Sequence, residues 1–195
     1  MSESPLPDLG LALDATVEPQ AVLDFARRHD LIAVRTVQAA GRVPFQQHWC
    51  TADRQTAVAY VDDRFFQVHY LHVRGPSALA LIRDARASLK KTTDLEDLAR
   101  MANEATSQIE TMVAVILAGF VARQHDGRIE ALFRRGLALE DENARRDTLL
   151  AMSYAGWVEL RELFRECETR EPVPELRQLA LRLRASLEEK RWKHG

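Results

Sequence analysis

The residue types best suited to chemistry cluster on two neighbouring stretches: His48 and Cys50 in VPFQQHWC (43–50), and His69 and His72 in FFQVHYLHV (65–73). Imidazole and thiolate are zinc ligands, and three protein ligands would leave the open position a catalytic zinc requires. On extended backbone His48 and Cys50, two apart, share a face. His69 and His72, three apart, point to opposite faces. At most three of the four can therefore converge. Their spacing matches no metal signature, and Val43, Phe45 and Trp49 alternate as the inward set, which turns His48 and Cys50 to water. The expectation is no metal and no cofactor, with this quartet as the arrangement to test.

Other candidates have simpler structural readings. Asp62 and Asp63 are a carboxylate pair of the kind used in acid–base work, but they lie where a hairpin turn favours Asp. Glu140, Asp141 and Glu142 precede a helical stripe, where negative charge complements the helix dipole. No GxSxG or SxxK marks a nucleophile. The eight glycines never approach GxGxxG or GxxxxGK[ST], so no loop is built to cradle phosphate. No catalytic residue is expected.

Composition narrows the classes further. The 195 residues are 46% hydrophobic and 29% charged with a formal net charge of −2, which fits a folded chain with one sizeable core or two small ones. Near-balanced charge argues against a protein that coats nucleic acid. Lys occurs only at 90, 91, 190 and 193, every other basic residue being Arg. That skew runs along the whole chain and fits GC-rich bacterial coding. Cys50 and Cys167 form no ligand or disulfide framework, which suits a reducing cytosol. MSESPLPDLG lacks a basic n-region, and the apolar run 112–122 is too short for a bilayer. A cytoplasmic protein without a membrane span is the expectation.

Two periodicities divide the elements that must position these residues. Within residues 1–90, Pro19 with Val22, Phe25 and Ala26 predicts a helix to about Arg28. LIAVRTVQ (31–38), VPFQQHWC (43–50), TAVAYV (56–61) and FFQVHYLHV (65–73) predict four strands of an antiparallel meander. Ala78, Leu81, Ile82, Ala85 and Leu89 stripe a second helix, and one sheet face should pack on the two helices.

Over residues 91–195 only the helical period remains. Thr93 with Glu96 suggests a capping box ahead of Leu95, Leu98, Ala99 and Ala102. Ile129, Leu132, Phe133 and Gly136 repeat that stripe, as do Leu160, Leu163, Phe164 and Cys167. Second helices fall near 107–123, 143–155 and 174–190. DENARRDTLLAMSYAGW (141–157) returns in paler form as EPVPELRQLALRLRASL (171–187). This is an internal repeat of helical hairpins, each needing neighbours to bury its faces. Helix 107–123 is apolar nearly all round, which requires burial on more than one side, with Gly119 permitting close approach.

On Asp141, Ala144, Arg145, Thr148, Ala151 and Met152, and again on Pro174, Leu176, Arg177, Ala180 and Leu183, this half resembles the HEAT-repeat family. Helix 107–123 departs from the pattern in lacking the Arg. The expected fold is α+β: an N-terminal β-meander with flanking helices, packed against a C-terminal α-solenoid of about three HEAT-like hairpins. The resemblance implies a non-catalytic adaptor, scaffold or regulatory module that binds another protein. Toxin-neutralising immunity proteins fit the same description. HEAT-like enzymes, such as bilin chromophore lyases and DNA base-excision enzymes, form the alternative. The lyase needs a carrier with an acceptor cysteine; the excision enzyme needs a basic, aromatic-lined groove, which this chain's composition does not favour.

Residues expected at a partner interface are Arg145, Arg146, Tyr154, Trp157, Arg177, Arg184 and Arg191, since Arg and large aromatics are the commonest anchors. For Arg145 and Arg177 the competing structural reading is stronger: bracing turns of the stack by pairing with acids such as Asp141 and Glu175. Arg177, Arg184 and Arg191 also recur every seven residues along one stripe. The polar outer face of a terminal repeat accounts for that stripe as it stands.

Overall fold

The computed structural model describes residues 6–14, 16–41, 43–89 and 92–192, with side chains to Glu188. The chain is α+β and divides into two compact units, Met1–Leu95 and Glu96–Gly195.

In the first unit the strands are β1 (Asp8–Leu13), β2 (Ile32–Val37), β3 (Phe45–Cys50), β4 (Ala57–Asp63), β5 (Val68–Arg74) and β6 (Thr92–Thr93). Helix α1 (Pro19–Arg28) and helix α2 (Ala78–Ser88) complete it. All strands are antiparallel, in the order β2-β3-β4-β5-β1-β6. The sheet thus has two strands beyond the expected four. LGLAL in β1 is Gly-interrupted and lacks β-branched residues, so no strand pattern marks it, yet it pairs with β5 along its whole length. Thr93 is a strand residue pairing with Ala12, which corrects its expected role in a capping box.

One sheet face carries Leu11 and Leu13, Val58 and Tyr60, Leu71 and Val73, and Trp49. Against it lie Val22, Phe25 and Ala26 of α1 and Ala78, Leu81, Ile82 and Ala85 of α2. Each large side chain buried here contributes roughly 1.5–3 kcal/mol. Two strand limits differ from expectation. Val43 is exposed just before Pro44, so the inward alternation starts only at Phe45. Phe65 stands exposed in the turn joining β4 to β5, its ring edge-on to Phe66 at 4.8 Å. Asp63 holds that turn: its buried carboxylate accepts from the backbone N–H of Phe65 (3.0 Å) and Phe66 (3.2 Å). Gly75, at φ +137°, lies so close to Gln55 that an added Cβ would fall 2.4 Å from its carbonyl oxygen.

The second unit is helical: α3 (Leu95–Glu104), α4 (Gln108–Val121), α5 (Gly127–Leu137), α6 (Glu142–Ala155), α7 (Arg161–Arg170, after a 3-10 turn at Val158–Leu160) and α8 (Pro174–Trp192). Among the described residues no strand lies beyond Thr93. A capping box does open a helix here, at Ser107 and Glu110 of α4. The backbone N–H groups of Thr106 and Ser107 bond the Glu110 carboxylate and pull its pKa down to about 2. Asp126 and Asp141 cap α5 and α6 through their side chains, and Gly156 ends α6 at φ 73°.

Helix α4 packs along α6, and α6 along α8. At the first contact, a Cβ on Gly119 would fall 2.7 Å from the Ala151 carbonyl oxygen, so only glycine allows this approach. Gly136 of α5 meets Thr148 and Val115 in the same way. Ala114, Val115, Ala118, Phe120, Leu149, Met152, Leu132, Phe133 and Leu163 fill the interior.

Candidate functional site

The sheet register disperses the His/Cys quartet. His48, Ala59, His72 and Gly10 form one cross-strand row, and Cys50, Ala57, Arg74 and Asp8 the next. His48, Cys50 and His72 therefore share the face opposite the helix-packed core. His69 lies on the core side, its Nδ1 3.0 Å from the Tyr60 hydroxyl. Each imidazole has its own polar neighbour: Gln46 Oε1 at 2.9 Å from His48 Nε2, and Asp8 Oδ1 at 2.5 Å from His72 Nε2. Burial, with help from Arg35 and His72, pushes the His48 pKa down. Burial and the nearby Asp62 raise the Tyr60 hydroxyl to about 12, which leaves it a neutral hydrogen-bonding group. Among the described residues no group of three or more His, Cys, Asp or Glu side chains is placed to hold a metal ion. Asp62 and Asp63 likewise diverge, Asp62 toward His69 and Arg64 (3.6 Å each) and Asp63 into its turn.

In the helical unit the charged side chains gather at the joints between hairpins. The loop after α5 leaves the Leu139 and Glu140 carbonyls without helical partners, as any helix end does. Arg145, one turn into α6, donates to both through Nη1 (3.0 and 2.7 Å). Its Nε and Nη2 donate to the two carboxylate oxygens of Glu171, beyond α7, at 3.0 and 2.9 Å. This fork-to-fork pair is shielded, Arg145 being 8% exposed and Glu171 8%. Burial works to raise the Glu171 pKa. The bonds from Arg145 and the Val173 N–H outweigh it and hold the carboxyl below its usual range. Glu171 in turn raises the Arg145 pKa further above the guanidinium norm.

The same motif recurs one hairpin on. Arg177 Nη1 donates to the Glu171 and Pro172 carbonyls at 2.7 and 3.1 Å. Helix α4 has Thr111 where an arginine would do this, and Arg135 of α5 supplies the guanidinium instead. It donates to the Ala102 and Ala105 carbonyls and to Thr111 Oγ1. Two further bridges join residues 32 apart: Arg128 with Glu96 and Arg134 with Glu166.

The proposed contact residues separate accordingly. Arg145 is inside a joint. Trp157 is 4% exposed, its indole N–H donating to the Ala122 carbonyl at 2.7 Å, with His125 and Phe133 against its ring. Tyr154 packs on Phe120, ring centroids 4.9 Å apart. Arg184 is half-buried between Glu168 (2.5 Å) and Glu188 (3.1 Å). Arg146 is exposed beside Asp147. Arg177 is half-buried in its loop contact. The side chain of Arg191 lies outside the described residues. The acids expected for Arg145 and Arg177 were Asp141 and Glu175. Asp141 caps its own helix, and Glu171 takes the hydrogen bonds from Arg145.

Sequence reasoning missed the most exposed apolar ridge. Ile109 is 77% and Val113 46% exposed, one turn apart on α4. With Met101, Glu104, Ala105 and Glu110 they line a groove of about 260 Å³. A second groove, of about 380 Å³, runs between α5 and α7 over Leu137, Leu163 and Cys167. Burial, then the charges of Glu171, Glu166 and Glu168, push the Cys167 thiol up to about 11, which favours the protonated thiol at neutral pH.

No family model, curated protein or solved structure matches this chain. No helix among the described residues is long and apolar enough to cross a membrane.

Proposed function

We propose that residues 96–192 are a HEAT-like stack of three hairpins, and that the chain is a non-catalytic module that binds another protein. The observation that carries the reading is the ridge of Ile109 and Val113 on a firmly capped helix. Exposed aliphatics at helical spacing beside a groove are the usual form of a helix-presenting interface. Repetition of side-chain contacts at a 32-residue offset supports the stack. So does the difference between its two helix rows. The second helices, α4, α6 and α8, pack directly, whereas α5 and α7 are spanned by the Arg134–Glu166 bridge across a groove. A row that is tight on one side and spread on the other curves, with α4, α6 and α8 lining the inner side.

The test is affinity capture from the native lysate with mass spectrometry, using the wild-type chain, an Ile109→Asp/Val113→Asp variant and an Arg146→Gln control. One partner at near-stoichiometric amounts, lost in the double variant and kept in the control, supports the reading. Capture that ignores the ridge, or repeated failure to enrich any partner, overturns it.

A further inference from the structure

The groove beside the Ile109–Val113 ridge has a sign as well as a shape. Its floor is apolar, with Met101 and Ala105 from the end of α3 and Ile109 and Val113 from the start of α4. Its two charged lining residues, Glu104 and Glu110, are both carboxylates, and no basic side chain among the described residues lines it. Glu104 has no ion-pair partner among the described residues. It stands in the last turn of α3, which carries no basic residue, so its charge adds to the negative end of the helix dipole. Glu110 caps α4 through Oε2 alone, which accepts from the Thr106 and Ser107 N–H groups and the Thr106 hydroxyl. Those bonds keep it ionised at any physiological pH. Arg135 reaches this end of α3 but is engaged by the Ala102 and Ala105 carbonyls and Thr111 Oγ1, and it lies outside the lining.

We infer that this groove is a docking surface for a basic amphipathic helix of a different protein, whose aliphatic stripe lies on Ile109 and Val113 and whose flanking lysines or arginines meet Glu104 and Glu110. The inference rests on the ridge being an interface, and adds the chemistry of what the ridge holds. Shape selects a helix, because side chains one turn apart on α4 are the spacing into which the i, i+4 ridge of a second helix fits. Charge selects a basic one. A helix with acidic flanks would bring like charges together on a rim with no cation of its own, and an anionic membrane surface would be repelled for the same reason. A second copy meeting ridge to ridge would set Glu104 and Glu110 against themselves.

The probes are two fluorescent synthetic helices of roughly 15 residues, both with leucines at i, i+4 and i+7, one with lysines on the flanks and its twin with glutamates. Binding to the full-length protein is followed by anisotropy. The lysine helix should bind saturably, and about tenfold or more tightly than its twin. Ile109→Ala/Val113→Ala should weaken it about tenfold, and Glu104→Gln about threefold. Glu104→Lys should move the preference toward the glutamate helix. Glu159→Lys, the same change of charge at an exposed residue outside the groove, should leave the preference in place. All the substituted side chains are exposed, and circular dichroism checks that each variant keeps its helices. No saturable binding, equal affinity for the two helices, or a preference that survives Glu104→Lys overturns the inference. Failure of the interface reading is separable. Binding indifferent to Ile109→Ala/Val113→Ala sinks both, whereas ridge-dependent binding without a charge preference removes only the basic occupant. Concentration-dependent self-association in light scattering, lost in the double variant, would make the occupant a second copy and overturn the assignment to a different protein.

Discussion

The sheet unit and the helical unit handle polar side chains in opposite ways. In the sheet unit, polar side chains bond within one strand, one turn or one strand pair: His48 with Gln46, Asp63 with the Phe65 and Phe66 N–H groups, Thr36 with Gln47, and His72 with Asp8. In the helical unit they reach across hairpins, with Arg128 to Glu96, Arg134 to Glu166 and Arg145 to Glu171. The sheet gets its long-range order from backbone pairing and a continuous apolar face, so its side-chain charges are free to be local. Helical hairpins have no backbone bonds between them. Register must come from side chains, and a fork-to-fork ion pair fixes register better than leucines can.

The contrast is most sharply tested at Glu171. Glu171→Ala strands a shielded guanidinium and should cost about 3–5 kcal/mol in urea unfolding. In the sheet unit, His72→Gln at the partly exposed Asp8 pair should cost about 1 kcal/mol. Similar losses would break the comparison. Its pH counterpart has a definite sign. The folded-state pKa of Glu171 is lowered, so its contribution is complete above the ordinary glutamate value of 4.5 and fades as pH falls through the lowered one. Glu171→Gln should remove that part of the acid limb of the stability profile.

Gly119→Ala comes next. The added methyl must displace α6 backbone, an overpacking cost of about 1–3 kcal/mol, read as a lower denaturation midpoint. Asp63→Ala, on the sheet side, should lose about 1–2 kcal/mol by leaving two turn N–H groups without their acceptor. Smallest of all is Arg128→Gln. It breaks an exposed bridge, and the melting temperature should barely move at physiological salt. A large drop there would mean that exposed bridges, too, hold the hairpins together.

How far the sequence is readable follows the same division. The four meander strands, both flanking helices and all six later helices are visible because each carries a run of its own period. β1 is not, since LGLAL earns its place only by pairing with β5 far along the chain. β6 is two residues long and carries no pattern at all. At the joints, the Arg145 and Arg177 repeat can be read from sequence alignment of the two stretches. Glu171 cannot, because it heads the second stretch yet pairs with an arginine of the first, 26 residues earlier and off the repeat offset. Opposite charges sought at a 32-residue offset would have found Glu96–Arg128 and Arg134–Glu166. Arg135 would escape even that, since it substitutes for a residue missing from another helix. The exposure of Ile109 and Val113 was hidden by the all-round apolarity of α4, which reads as burial on every side.

The Thr111 exception makes the hairpins non-interchangeable. The middle pair lends a guanidinium backward and borrows a carboxylate from ahead, so it is written to stand second and nowhere else. A chain truncated after α6 would not merely be shorter. It would leave Arg145 without the carboxylate written for it, and shuffling the order of the pairs would create the same fault at another seam.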